Sequence, residues 1–136
     1  MRVRCGRAAA IVAVSLLAAC SSSSHTTPTA TACRPAHPPE YPTTQASLED
    51  RDAGGTWCVR VGQTLTVTLH ASSTQSRWTP ISASDASVLT PISNGVVTLI
   101  RGVTATFFAV HQPGTVTITS TRPGSKPWRA IVVARQ

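Results

Sequence analysis

The chain has 136 residues, with twelve Lys and Arg against five Asp and Glu, which gives a formal net charge of +7. This length suits one domain. The basic residues form no Lys/Arg-rich run, so the charge does not indicate nucleic-acid binding.

The first nineteen residues have the features of a bacterial lipoprotein signal peptide. Three arginines among the first seven residues precede an apolar run over 8–19, which is too short to span a bilayer of ~30 Å. Leu17-Ala18-Ala19-Cys20 then matches a lipobox, in which Cys20 is the residue that receives the lipid. The alternative is an ordinary secretory signal with Cys20 incidental, which leaves the coincidence of Leu, two small residues and Cys unexplained.

Cleavage before Cys20 leaves 117 residues, 20–136, and removes three of the twelve basic residues. Nine basic and five acidic residues remain, a net charge of +4. Two acyl chains on Cys20 give stable anchoring, whereas one chain alone is marginal. We therefore expect the protein at the cell membrane, facing away from the cytoplasm. The remaining charge favours anionic envelope polymers or lipid headgroups as ligands, or serves solubility alone.

The predicted domains are a signal peptide over 1–19, a disordered Ser/Thr-rich tether over 20–32 and a β-sandwich over 33–136. The sandwich begins with a Pro-rich lead-in. Besides Cys20, the exported chain has two cysteines, Cys33 and Cys58, so only one intramolecular disulfide is possible, in a compartment that permits it. The four histidines are scattered and there is no C-x-x-C, so neither a metal site nor a cofactor is predicted. The acidic residues over 49–52 read as a solvated turn; a calcium loop would need a downstream bidentate Glu.

From residue 56 onward the sequence alternates between apolar and Thr residues, with turn residues between the segments. Leu65, Val67 and Leu69 alternate with threonines, as do Val116 and Ile118, which indicates strands buried on one face. Asn-Gly and Pro-Gly pairs mark tight turns. Strands are predicted near 56–61, 63–70, 77–81, 87–92, 95–100, 104–110, 115–121 and 129–135. Seven or eight such strands predict an all-β, immunoglobulin-like antiparallel sandwich.

The C-terminal third resembles the chagasin-like inhibitors of papain-type proteases, which are small immunoglobulin-like domains. The similarity lies in a strand over 104–110, Gly114-Thr115 at a turn, an alternating strand, and Arg122-Pro123 in place of an R-P-W loop. In that family three loops enter the protease cleft. The matching segments are 71–76, without the N-P-T-T-G motif, 101–102, and 122–128, where the Trp comes later, at Trp128. The resemblance implies protease inhibition as one function.

The best candidate partner-binding loop carries Arg122, Pro123, Lys126, Trp128 and Arg129, because Arg and Trp are favoured contact residues and stiff loops on a sandwich bind partners. The alternative is that Trp128 begins the last strand and packs inward. Trp57 and Trp78 are predicted to be core residues. No G-x-S-x-G motif occurs, and His70 and His111 fit surface positions, so a non-enzyme is favoured. The two leading functions are an envelope binding or scaffolding module, with an envelope protein or polymer as ligand, and a chagasin-like inhibitor.

Overall fold

The fold is a sandwich of two β-sheets in the computed structural model, which describes residues 31–37, 44–73, 76–92 and 102–136. The strands within these ranges are β1 Arg34–Pro35, β2 Gln45–Glu49, β3 Thr56–Arg60, β4 Thr64–His70, β5 Ser82–Ala83, β6 Leu89–Pro91, β7 Val103–Val110, β8 Gly114–Ser120 and β9 Trp128–Arg135. A single 3-10 turn, Asp50–Asp52, joins β2 to β3. In the part of the chain so described, no helix is long and apolar enough to cross a membrane. The predicted signal peptide and tether lie outside the described residues, apart from the last two tether positions.

One sheet has the strand order β1-β3-β9-β8-β5 and the other β2-β4-β7-β6. This confirms the immunoglobulin-like sandwich. Both sheets are mixed, however, and not wholly antiparallel as predicted. The pairs β1–β3, β3–β9 and β2–β4 are parallel, whereas the pairs among β4 to β9 are antiparallel. The parallel pairs all involve strands before β4, because the lead-in enters both sheets at their edges.

The core follows the alternation in the sequence. In β4 the apolar residues Leu65, Val67 and Leu69 are buried and the threonines between them are partly exposed. In β7 the ring of Phe108 is fully buried, while Phe107 faces outward and is half-buried. Alternate residues of a strand point to opposite faces of the sheet, so adjacent Phe residues cannot both enter the core.

Two predicted strands differ from the observed ones, and a third is untested. The segment 77–81 is not a strand; the short strand β5 follows it. The predicted 87–92 strand shortens to β6 after a turn over 86–88. The predicted 95–100 strand lies outside the described residues. Strand β2 was not predicted, because it has only two apolar residues, Ala46 and Leu48, beside the acidic turn.

The lead-in is part of the sandwich and is covalently attached to it. Cys33 and Cys58 form the predicted disulfide, with their Cα atoms 5.3 Å apart and 25 positions apart in sequence. The next residues run parallel to β3 as β1, and the N–H of Ala36 donates to the carbonyl of Cys58 at 3.0 Å. His37 then bridges to Ser47 in the other sheet. The arm therefore crosses from one sheet to the other at the edge of the sandwich.

Replacing both cysteines, Cys33→Ser with Cys58→Ser, should lower the free energy of unfolding by roughly 3–4 kcal/mol, because a cross-link of this span restricts the unfolded chain. Urea denaturation followed by tryptophan fluorescence measures the change. The wild-type protein unfolded under reducing conditions is the control and should match the double variant. Two free thiols in the mass spectrum of the non-reduced protein would contradict the account.

Candidate functional site

The described parts of three connections meet at one end of the sandwich: 71–80 after β4, residue 102 before β7 and 121–127 after β8. The first follows β4 after His70, the second precedes β7 at Val103, and these two residues are paired in register. The N–H of Ala71 donates to the carbonyl of Gly102 at 2.7 Å, which joins the first connection to the second. Gly102 has φ +83°, and a Cβ there would lie 2.9 Å from the Ala71 carbonyl oxygen, so this contact requires glycine. We call this end, formed by the described parts of 71–80, 102 and 121–127, the loop end.

Trp78 lies in the connection after β4. It contacts the ends of β4 and β7 and also the connection after β8. Its indole N–H donates to the carbonyl of His70 at 2.9 Å, and its own carbonyl accepts from the Thr104 hydroxyl at 3.3 Å. The following residue, Thr79, exchanges backbone and side-chain hydrogen bonds with Thr121. Trp78 is only 9% exposed, so the prediction that it belongs to the core is confirmed. Trp78 thus contacts the β4–β7 sheet and Thr79 contacts the end of β8, so two adjacent residues together link the two sheets at the base of the loop end.

Arg122 lies over Trp78 and is held in place. Its guanidinium carbon is 4.7 Å from the centre of the Trp78 ring, within the range of a cation–π interaction. Two of its nitrogens also donate to the Ser125 hydroxyl, at 3.0 and 2.9 Å. Ser125 closes the turn, since its N–H donates to the Arg122 carbonyl at 3.2 Å. The Arg122 side chain is therefore ordered by its own loop and by the core beneath it.

The structure divides the predicted partner-binding loop into three parts. Arg122, Pro123 and Lys126 lie on the loop end, where Pro123 and Lys126 are exposed. Arg129 is also exposed but points to the outer face of the β8–β9 sheet, beside Thr117 and Thr119. Trp128 is 3% exposed, and its indole N–H reaches the carbonyls of Glu49 and Asp50 at 3.3 and 3.2 Å. Trp128 is thus the inward-packing residue of the alternative interpretation and offers no surface for contact.

The acidic segment, read from sequence as a solvated turn, is a structural junction. The Asp52 carboxylate is 3% exposed; one oxygen accepts the Glu49 N–H at 2.7 Å and the other lies 3.0 Å from His37 Nε2. The Asp52 carbonyl accepts the indole N–H of Trp57 at 3.1 Å. Trp57 is 8% exposed, which confirms its predicted place in the core. Asp52 is the third residue of the turn, and its side chain accepts the N–H of Glu49, the residue before the turn. An acidic residue at this spacing is the sequence signal of a capping box.

Asp50 fixes the end of β4 from the same turn. Its carboxylate accepts the backbone N–H of His70 through both oxygens, at 3.0 and 3.1 Å, and lies 2.7 Å from His70 Nδ1. His70 is exposed, as predicted for a strand end. Because β4 ends where the first loop begins, Asp50 also positions the loop end. No sequence signal connects residues twenty positions apart in this way.

Asp85 and His111 also make hydrogen bonds within the fold. In the described ranges, no group of three or more His, Cys, Asp and Glu is placed to hold a metal ion. Asp85 caps the turn over 86–88. Hydrogen bonds from the Ser87 hydroxyl, which has the larger effect, and from the Ser87 backbone N–H hold the pKa of Asp85 below its ordinary value. His111 is exposed, and its backbone N–H donates to the Val88 carbonyl at 3.0 Å.

The fold is similar to that of solved protease inhibitors. The cysteine protease inhibitor EhICP2 from Entamoeba histolytica aligns with a TM-score of 0.53 and 16% identity, over 67% of this chain and 95% of that chain. PbICP-C, solved in complex with falcipain-2, aligns at 0.40 and 14%, over 66% and 87%. Domains 4 and 5 of the S-layer protein SbsC align at 0.46 and 16%, over 62% and 50%. No protein-family model matches the chain. The curated proteins give no sequence match. The predicted chagasin-like resemblance is thus confirmed for the fold.

The variant Asp52→Ala tests the junction. It leaves the Glu49 N–H and the His37 ring without their acceptor, so we expect a loss of about 2–4 kcal/mol in the free energy of unfolding. Chemical denaturation provides the measurement. Asp85→Ala, which removes a fully exposed cap, is the matched control and should have a much smaller effect. Equal midpoints for the two variants would show that the buried turn does not stabilise the sandwich.

Proposed function

We propose that the chain is a non-catalytic binding module, anchored through Cys20 to the outer face of the cell membrane, whose loop end inserts into the cleft of a papain-type cysteine protease. The observation that carries the proposal is the convergence of the three connections at one end, tied together through Trp78. A wedge of loops on a rigid sandwich suits a cleft, and the fold is that of a cysteine protease inhibitor.

The order of the loop end supports tight binding. A loop that is already fixed loses little conformational entropy when it enters a cleft, so more of the contact energy remains as affinity. Arg122 is held by Trp78 and Ser125, and the backbone at Ala71 is held by Gly102. The exposed Pro123 adds a residue with restricted backbone freedom at the tip. A protease cleft would therefore meet a preformed surface.

A non-catalytic role is supported by how the histidines are used. His37 and His70 each contact an aspartate, as in a catalytic triad, but their carboxylate partners are engaged by backbone N–H groups. Among the described residues, no Ser or Thr hydroxyl is hydrogen-bonded to either imidazole ring. A nucleophile and base in contact are the minimum for covalent catalysis, and these pairs act instead as fasteners of the acidic turn.

Titration of papain-type proteases with the purified protein tests the proposed inhibition. Hydrolysis of a peptide substrate should fall in a saturable, stoichiometric way. Arg122→Ala should weaken inhibition roughly tenfold, because it removes a half-buried contact residue and loosens the loop. Arg60→Ala is the matched control: this exposed arginine ends β3 at the opposite end of the sandwich, and the variant should inhibit like the wild type.

Undiminished hydrolysis at micromolar inhibitor would rule out the protease cleft as the target. The proposal of an envelope binding or scaffolding module then stands alone. It is tested by a pull-down from envelope fractions, where enrichment of a partner or wall polymer should depend on the loop end. A partner bound equally well by Arg122→Ala and by the wild type would place its recognition elsewhere.

The anchor is tested separately by mass spectrometry of the membrane fraction. The N-terminal peptide of the wild type should begin at Cys20 and carry the mass of a diacylglyceryl group. Cys20→Ala should lack the lipid, because no other side chain at this position can form the thioether. Cys5→Ala, within the removed segment, should be processed and lipidated normally. A mature chain that begins elsewhere without lipid contradicts the anchor.

A further inference from the structure

A polar depression lies beside the acidic turn, at the edge of the sandwich where the lead-in pairs with β3. Its volume is about 860 Å³, and it is open to solvent. Two arginines, Arg34 and Arg51, line it together with His37, and Gly54 and the Trp57 ring form part of its wall. Arg34 comes from β1 and Arg51 from the 3-10 turn, so two separate segments contribute positive charge to one concave surface.

The protein neutralises the positive charge of the depression only in part. Arg34 is exposed and contacts no acidic group among the described residues. Arg51 is 69% exposed and lies 3.4 Å from Glu49, itself 47% exposed, and such surface ion pairs are weak. The Asp52 carboxylate also borders the depression, but it is buried, and both its oxygens already contact the Glu49 N–H and the His37 ring. The surface therefore presents to a ligand one arginine without an acidic partner in the described ranges and one arginine in a weak, exposed ion pair.

The same depression adjoins the start of the tether. Ala32 and Cys33 line it, and the disulfide from Cys33 to Cys58 fixes them to β3. If Cys20 carries the lipid, twelve residues over 21–32 separate the membrane from this point. If this segment is the disordered tether that its composition predicts, its r.m.s. reach is about 20 Å. The depression thus lies on the part of the domain that the anchor keeps nearest to the lipid headgroups.

We propose that this depression binds the phosphate of an anionic phospholipid headgroup. Guanidinium groups match the geometry of phosphate oxygens and are the preferred side chains for binding them. A tethered domain meets headgroups at high effective concentration, so even weak recognition would hold it in one orientation. The choice of a lipid rests on the proposed anchor, whereas the recognition of phosphate rests on Arg34 and Arg51 alone.

The experiment uses the mature protein in a neutral detergent and a short-chain phosphatidylglycerol as the probe. Trp57 lines the depression, so its indole N–H resonance in NMR spectra reports occupancy of this site. Phosphatidylglycerol should shift it in a saturable manner, whereas short-chain phosphatidylcholine should not. Arg34→Gln with Arg51→Gln should weaken the affinity roughly tenfold or more, because each arginine near an anionic lipid contributes about 1 kcal/mol.

Arg60→Gln with Arg129→Gln is the control, since it removes two exposed arginines that do not line the depression. This variant should bind like the wild type, and thermal unfolding should show that both double variants remain folded. Equal weakening in the two double variants would mean general charge attraction and would overturn the site. Saturation by inorganic phosphate at the same concentration as the lipid would assign the site to free phosphate and overturn the lipid. An unshifted Trp57 resonance would overturn both.

These results are separable from the proposed function. Protease titration with the same preparations reports on the loop end, and the lipid titration reports on the depression. A protein that binds phosphatidylglycerol without inhibiting any protease would retain this site and lose the proposed inhibition. A protein that inhibits a protease but shows no lipid-dependent shift would retain the proposed inhibition and lose this site.

Discussion

The hydrogen bonds of the acidic turn Asp50–Asp52 are the constraint on which the rest of the sandwich depends. The turn carries the chain from β2 in one sheet to β3 in the other, so it must be fixed relative to both. It accepts the indole N–H of Trp57 from β3 and that of Trp128 from β9, and its Asp50 carboxylate accepts the N–H of His70 from β4. The buried polar groups of the turn, above all those of Asp52, would carry an unfavourable desolvation cost without hydrogen-bond donors.

The turn also explains why the loop end is ordered. Asp50 fixes His70, whose carbonyl accepts the indole N–H of Trp78, and Trp78 supports the guanidinium of Arg122. A chain of direct contacts therefore runs from the lead-in to the tip of the third loop. Its members come from segments far apart in sequence, so each contact depends on correct packing of both sheets. In such a network, loss of one partner leaves another polar group unsatisfied.

Strands β4 and β8 and the disulfide could be predicted from the sequence, because local pattern or composition determines them. Alternation of apolar residues and threonines predicted β4 and β8, and the burial of Leu65 and Ile118 follows directly from it. The single possible disulfide needed only a count of cysteines. Such features are encoded within a few residues, or by composition, and no knowledge of the tertiary partners is required.

The features that were missed depend on distant partners. Strand β2 has weak strand character and exists because its backbone pairs with β4 across five residues in parallel register. The sequence left two positions open for Trp128; the inward one depends on carbonyl acceptors 78 and 79 positions away, which no local pattern reveals. The acidic residues were read as solvated because isolated carboxylates usually are; here Asp52 is buried since every oxygen has a partner.

The structure places two surfaces with different chemistry on one small domain. The loop end carries Arg122 on a support of packed tryptophan, held by its own loop. The depression is lined by two arginines and is continuous with the lead-in, which suits a small anion. Both depend on the same turn, because Asp50 supports the first through His70 while Arg51 and Asp52 border the second. The acidic turn thus links the lead-in edge of the sandwich to the described part of the loop end, and a change at either surface that displaces the turn would disturb the other.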